Sequence, residues 1–102
     1  MKIIENGTVT SPKGYLGAGE HVGIKKAKKD LALIYSKVDA KAVGTFTQNI
    51  VKAAPVLWDK MIVDNYDHVR IIAVNSGVAN ACTGDEGLKC NEEFAQTVAD
   101  NF

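Results

Sequence analysis

Apolar positions in this chain come in short runs separated by small or polar residues, and the clearest run is Arg70 to Val74, RIIAV. It is long enough for a buried strand and too short for a buried helix. Leu31 to Tyr35, LALIY, reads the same way, and Ala42 to Thr47, AVGTFT, gives a further strand in which Gly44 marks a bulge or a close contact. The period changes near the end. Leu88, Ala95, Val98, Ala99 and Phe102 fall on one face, with Phe94 beside them and Glu92, Glu93, Gln96 and Asp100 outside, which predicts an amphipathic helix with a core-facing stripe. Trp58, Met61 and Ile62 recur at helical spacing, so Trp58 to Tyr66 predicts a short helix, with Asp59 placed to favour its start.

Turn residues divide these segments. Ile3 to Val9, IIENGTV, brackets an Asn-Gly pair and predicts a tight hairpin closed by Thr10, Ser11 and Pro12. Lys13 to Gly23 carries four glycines and predicts an irregular loop, and Val38 to Lys41 predicts a turn. Val51 to Leu57 is expected to be extended in part, because Pro55 disfavours helix at Ala54. Thr83 and Glu86 fit a capping box, so the last helix is expected to begin near Asp85. At the other end Phe102 is still in phase with the apolar stripe, and no Gly, Pro or basic residue stops it, so the chain reads as cut within a longer protein.

Charge and length narrow the classes. The 102 residues make one domain at most, able to bury about 60 to 65% of the unfolded surface by the usual scaling. Twelve basic and twelve acidic residues cancel, so no overall field draws the chain to nucleic acid or to an anionic membrane. The one basic block, Lys25 to Lys29, has no interleaved aromatics and reads as a solvated turn that guards the following strand against edge pairing. Cys82 and Cys90 are too far apart for redox or zinc spacing and read as free thiols. His21 and His68 lie far apart without a carboxylate or cysteine cluster, so no metal site is expected. With no bilayer-length apolar run and no secretory signal, the expectation is a soluble, cytoplasmic protein.

The candidate chemistry lies between Asn75 and Gly87, NSGVANACTGDEG, where bulky side chains give way to small and polar ones. Such a segment lets backbone come close to a second piece of backbone or to a ligand. Asn75, Ser76, Asn80 and Thr83 offer amide and hydroxyl groups, while Gly77 and Gly84 free the backbone. A strand, a small-residue loop and a helix start together can hold an anion, and can equally be only a tight, closely packed turn. The glycines match neither a phosphate-binding P-loop nor a dinucleotide fingerprint, and the Gly17, Gly19, Gly23 series misses the latter by one residue. Ser76 lacks the first glycine of a nucleophile elbow and has no histidine near it in sequence.

Several ordered motifs carry a resemblance. Pro12-Lys13-Gly14-Tyr15, Gly23-Ile24-Lys25, Lys29 to Ile34 (KDLALI), Gly44 with Phe46-Thr47 and Asn49, Lys52 to Val56 (KAAPV) and Asn75 to Gly84 (NSGVANACTG) resemble, in order, motifs of the ornithine acetyltransferases, or bifunctional glutamate N-acetyltransferases, of arginine biosynthesis. The similarity runs from about Gly7 to Ala99 and is that of the N-terminal portion of the family's α subunit. Two positions depart: Val78 stands where the family has an asparagine, and Glu20 where an apolar residue is usual.

The resemblance implies an α+β fold, a mixed sheet with flanking helices forming part of a four-layer αββα sandwich, with residues 1–102 a single partial domain. It implies a protein that cuts itself before a threonine and uses that threonine to carry an acetyl group from N-acetylornithine, or from acetyl-CoA, to glutamate. The nucleophile and oxyanion donors would lie beyond Phe102, so no catalytic residue is expected in this chain. Asn75, Ser76, Gly77, Asn80, Thr83 and Gly84 are the candidate active-site-adjacent loop. No cofactor is expected, and the expected partners are the rest of the α subunit and the β subunit in a hetero-oligomer. A free-standing module that binds a small anion in the same loop is the alternative, and a purely structural piece that pairs with a partner chain is a third.

Overall fold

The computed structural model describes residues 1–77, 79–80 and 84–102. The elements, in chain order, are β1 (Tyr15–Glu20), β2 (Leu31–Ala40), α1 (Ala54–Asn65), β3 (Val69–Asn75) and α2 (Gly84–Asp100). The chain is α+β and separates into two compact units. One comprises Met1–Ala40 with Arg70–Gly77, the other Lys41–Val69 with Val78–Phe102.

The first unit is a three-stranded sheet in the order β1-β2-β3. β1 runs antiparallel to β2, in register from Tyr15 opposite Ser36 to Glu20 opposite Leu31. Ser76 N–H donates to the Asp30 carbonyl at 2.9 Å, while Arg70 at the other end of β3 reaches the Ser36 and Lys37 carbonyls, so β3 is also antiparallel to β2. The sheet is therefore antiparallel where a mixed one was expected. Arg70 binds the two strands firmly: its guanidinium also donates to the Tyr35 hydroxyl at 2.8 Å and lies 5.2 Å from that ring's centroid.

Residues 13–23, expected to be irregular, contain β1. The glycines that argue against regular structure do so through entropy and missing side chains, and here a close approach compensates. A Cβ on Gly17 would lie 3.1 Å from Thr10 Cγ2, so the bare position admits the turn over residues 8–11. That turn is closed by Ser11 N–H to the Thr8 carbonyl and by Thr8 N–H to Ser11 Oγ. The Asn6-Gly7 turn forms, with Asn6 at φ 56° and Gly7 N–H bonded to the Ile4 carbonyl, but no strands flank it, so the hairpin does not. β2 extends through Ala40 where a turn at 38–41 was expected, its far half held by Arg70 and by Ser36, whose hydroxyl donates to the Val38 carbonyl at 2.6 Å.

The second unit packs α1 against α2. Residues 54–57, expected to be extended, are the first turn of α1, because Pro55 falls where a helix start leaves N–H groups unpaired in any case. Ala54, directly before the proline, is helical all the same, and Ala53 takes the extended conformation of an N-cap (φ −66°, ψ 151°). Ala42–Thr47 forms no strand. Gly44 is nonetheless a site of close approach, since a Cβ there would lie 2.7 Å from Phe46 Cζ. α2 opens on Asp85 and Glu86, whose charges favour a helix N-terminus. Ala95 and Val98 of the expected stripe, and Phe94 beside it, are half-buried, whereas Leu88, Ala99 and Phe102 are exposed. Among the described residues Ala54 is the only buried hydrophobic one, and Cys90 is a free, exposed thiol; Cys82 lies outside them. No described helix is long and apolar enough to cross a membrane.

Candidate functional site

The candidate residues fall in both units. Asn75 ends β3 and is exposed, Ser76 follows it with its N–H on the Asp30 carbonyl, and Gly77 has φ +123°. A Cβ at Gly77 would lie 2.7 Å from Ile24 Cγ2 and 3.0 Å from Lys25 Cγ, so this glycine is needed both for its backbone angle and for the close approach of residues 24 and 25. In the second unit Asn80 is half-buried and donates through Nδ2 to the Gly87 carbonyl at 2.8 Å. Gly84, at φ +69°, opens α2. Thr83, and with it the capping box, lies outside the described residues.

Asp30, which the sequence reading passed over, organises the first group. Its carboxylate is fully screened from solvent, yet it accepts N–H bonds from Val22 at 2.7 Å on Oδ1 and from Ile24 at 2.7 Å and Lys25 at 2.9 Å on Oδ2. Its own N–H donates to the Glu20 carbonyl at 3.0 Å. Burial pushes this carboxyl upward, but the N–H groups of Lys25, Val22 and Ile24, with the His21 charge, outweigh it and hold the pKa below the ordinary 3.8. His21 is exposed; its Nε2 sits 2.6 Å from the Lys25 carbonyl, as a donor, and 4.0 Å from Asp30 Oδ2. The signal that could have found Asp30 is its position: a single acid closing a run of lysines, immediately before an apolar strand. Such a carboxylate is either solvated or fully bonded.

Of the second group, Gly84 borders a groove of about 390 Å³ between the starts of α1 and α2. Ile50, Val51, Leu57 and Leu88 line it, with Gly84 at the candidate loop and Lys52 and Asp85 as charged members. Chemically, the described candidates offer neutral hydrogen-bond donors and acceptors. Among the described residues no group of three or more His, Cys, Asp or Glu side chains is placed to hold a metal ion.

Solved structures of similar fold define the class. An ornithine acetyltransferase of Mycobacterium tuberculosis, solved with ornithine, matches with a TM-score of 0.74 and 46% identity over 79% of this chain and 42% of that one. The arginine biosynthesis bifunctional protein ArgJ of Bacillus halodurans matches with a TM-score of 0.80 and 41% identity over 84% of this chain and 45% of that one. The chain belongs to the ArgJ family, whose model matches residues 17–102. Among curated relatives, the ArgJ bifunctional proteins of Thermotoga neapolitana and Caldanaerobacter subterraneus are 48% identical over 89 residues and 45% identical over 100. These alignments take in 86% and 98% of this chain but 22% and 24% of the relatives, so the chain spans about a quarter of their length.

Proposed function

We propose that this chain is the N-terminal part of an ornithine acetyltransferase that moves an acetyl group from N-acetylornithine, or from acetyl-CoA, to glutamate in arginine biosynthesis. The observation that carries the reading is membership of the ArgJ family at 45–48% identity to bifunctional relatives. The chemistry is nucleophilic catalysis by a threonine supplied outside this chain, with a preorganised oxyanion site worth a few kcal/mol. The chain's own share is a scaffold and the loop from Asn75 to Gly84 beside the reacting groups. No cofactor enters, and acetyl-CoA acts only as a substrate.

The surface supports a partial domain. Ile50 and Val43 are essentially fully exposed, and Val51, Val38 and Ile72 are more than half exposed, an arrangement that suits apolar faces covered by further chain. The covering chain would be the rest of the α subunit and the β subunit, completing a four-layer αββα sandwich in a cytoplasmic hetero-oligomer. A free-standing anion module fits less well. Within the Asn75–Gly87 loop that it would use, the Ser76 N–H is already bonded to the Asp30 carbonyl and the Asn80 side-chain amide to the Gly87 carbonyl.

The test is acetyl transfer from N-acetylornithine to glutamate by the protein expressed from its own gene, beside the purified 102-residue chain. Turnover by the gene product and none by the 102 residues is expected. Turnover by the 102 residues alone, or none by the gene product, overturns the reading.

A further inference from the structure

We infer that Asp30 is a positioning residue that fixes the strand end Asn75–Gly77 by way of the loop from His21 to Lys25. Three segments converge on it. β1 ends on its N–H through Glu20, the loop is held by the N–H groups of Val22, Ile24 and Lys25 on its carboxylate, and the chain leaving β3 is held by Ser76 N–H on its carbonyl. The loop so fixed places Ile24 Cγ2 and Lys25 Cγ where a side chain of residue 77 would otherwise be. The carboxylate and Gly77 therefore act on opposite sides of the same loop: one pulls its backbone inward, the other leaves room for its side chains. Screened from solvent and already accepting three N–H bonds, the carboxylate is suited to holding backbone in place and not to exchanging protons with a substrate.

A carboxylate that only stabilised the sheet would act chiefly on the β1–β2 ladder. A positioning carboxylate acts on residues 22–25 and 75–77 together. The experiment is amide hydrogen exchange, followed by mass spectrometry, on the protein expressed from its own gene. Asp30→Asn keeps the size but turns an acceptor oxygen into an N–H donor facing other donors, and charged-group hydrogen bonds of this kind correspond to about ten- to a hundredfold in local opening. The expected result is faster exchange by about tenfold or more in peptides covering 22–25 and 75–77, with less than about twofold change over 32–36.

Ile24→Ala, at a position 39% exposed, tests the link from the other side with little risk to folding. It should speed exchange at 75–77 while residues 22–25 keep their protection. Acceleration confined to 22–25 in Asp30→Asn, uniform acceleration that includes β2, no change at 75–77 in Ile24→Ala, or a wild-type protein unprotected at 22–25 each overturn the inference. Its bearing on catalysis rests on the proposed function, in which 75–77 adjoins the active site. The exchange readout does not depend on acetyl transfer, so the two can fail separately.

Discussion

Replacing Gly77 by alanine isolates the contact on which the strand end depends. Two costs arise at this position. The backbone sits at φ +123°, a region that L side chains rarely adopt, and holding a residue there costs about 1–3 kcal/mol. The new Cβ would also meet Ile24 Cγ2 at 2.7 Å and Lys25 Cγ at 3.0 Å, and forcing such overpacking costs about 1–3 kcal/mol more. The N–H bonds of Ile24 and Lys25 to Asp30 hold their backbone in place, so relief must come from rotation of the two side chains. A loss of about 2–6 kcal/mol in all is therefore expected. Gly14 provides the control: its φ is +93° and nothing lies within 4 Å of an added Cβ, so Gly14→Ala carries the backbone cost of about 1–2 kcal/mol alone. Urea unfolding followed by far-ultraviolet circular dichroism, with unchanged slopes, measures both. Equal losses for the two variants would refute the claim that residues 24 and 25 are packed on Gly77.

Asn80→Ala should cost about 1 kcal/mol by removing the bond to the Gly87 carbonyl, whereas Ser76→Ala, which removes only an exposed hydroxyl and leaves the N–H in place, should cost under about 0.5; equal thermal shifts would count against this. Pro55→Ala should lower stability by about 0.4–1 kcal/mol through a less restricted unfolded chain, with helix content by circular dichroism unchanged. Asp30 and Asp59 should show opposite pH behaviour. Partial desolvation holds the carboxyl of Asp59, an exposed residue, above its usual value, so the folded state binds its proton more tightly than the unfolded state and gains stability as pH falls through that folded pKa. Asp59→Asn should accordingly raise the urea midpoint slightly at neutral pH and lose that advantage as pH falls to the ordinary 3.8. Asp30 has a lowered folded pKa, so its contribution is present above 3.8 and is lost as pH falls through the folded value; the difference between wild type and Asp30→Asn in protection of residues 22–25 should be present at neutral pH and vanish in acid.

Elements defined by a run of side chains were legible in the sequence, and those defined by what approaches the backbone were not. Arg70 to Val74 and Leu31 to Tyr35 are strands, and the stretch from Leu88 is helical, because period and branching suffice to specify them. β1 is not legible because its glycines carry no pattern of their own; they make sense only with Thr10 lying over Gly17. Pro55 is ambiguous for a related reason. The same residue ends a helix from inside and starts one from outside, and the sequence alone does not say on which side of the boundary it stands. Ala42–Thr47 has strand-like composition, but composition does not supply a neighbour, and β propensity is largely a measure of fit to one.

The site shows the same division. Gly77 was singled out by composition, and its role as a place of close approach follows from the angle and the two neighbouring side chains. Asp30 was not singled out, since an acid after four lysines looks like ordinary surface charge. What makes it central is that the N–H groups of Val22, Ile24 and Lys25 have no strand or helix to bond to, and the buried carboxylate beneath the loop is the acceptor that takes them. A neutral acceptor could take one or two; a carboxylate takes all three and repays its own desolvation by doing so. The Gly23-Ile24-Lys25 and Lys29-Asp30-Leu31 motifs, read separately as marks of family resemblance, are therefore two halves of one arrangement, the second supplying the acceptor that the first requires. Changing either half without the other should leave the same loop unfixed.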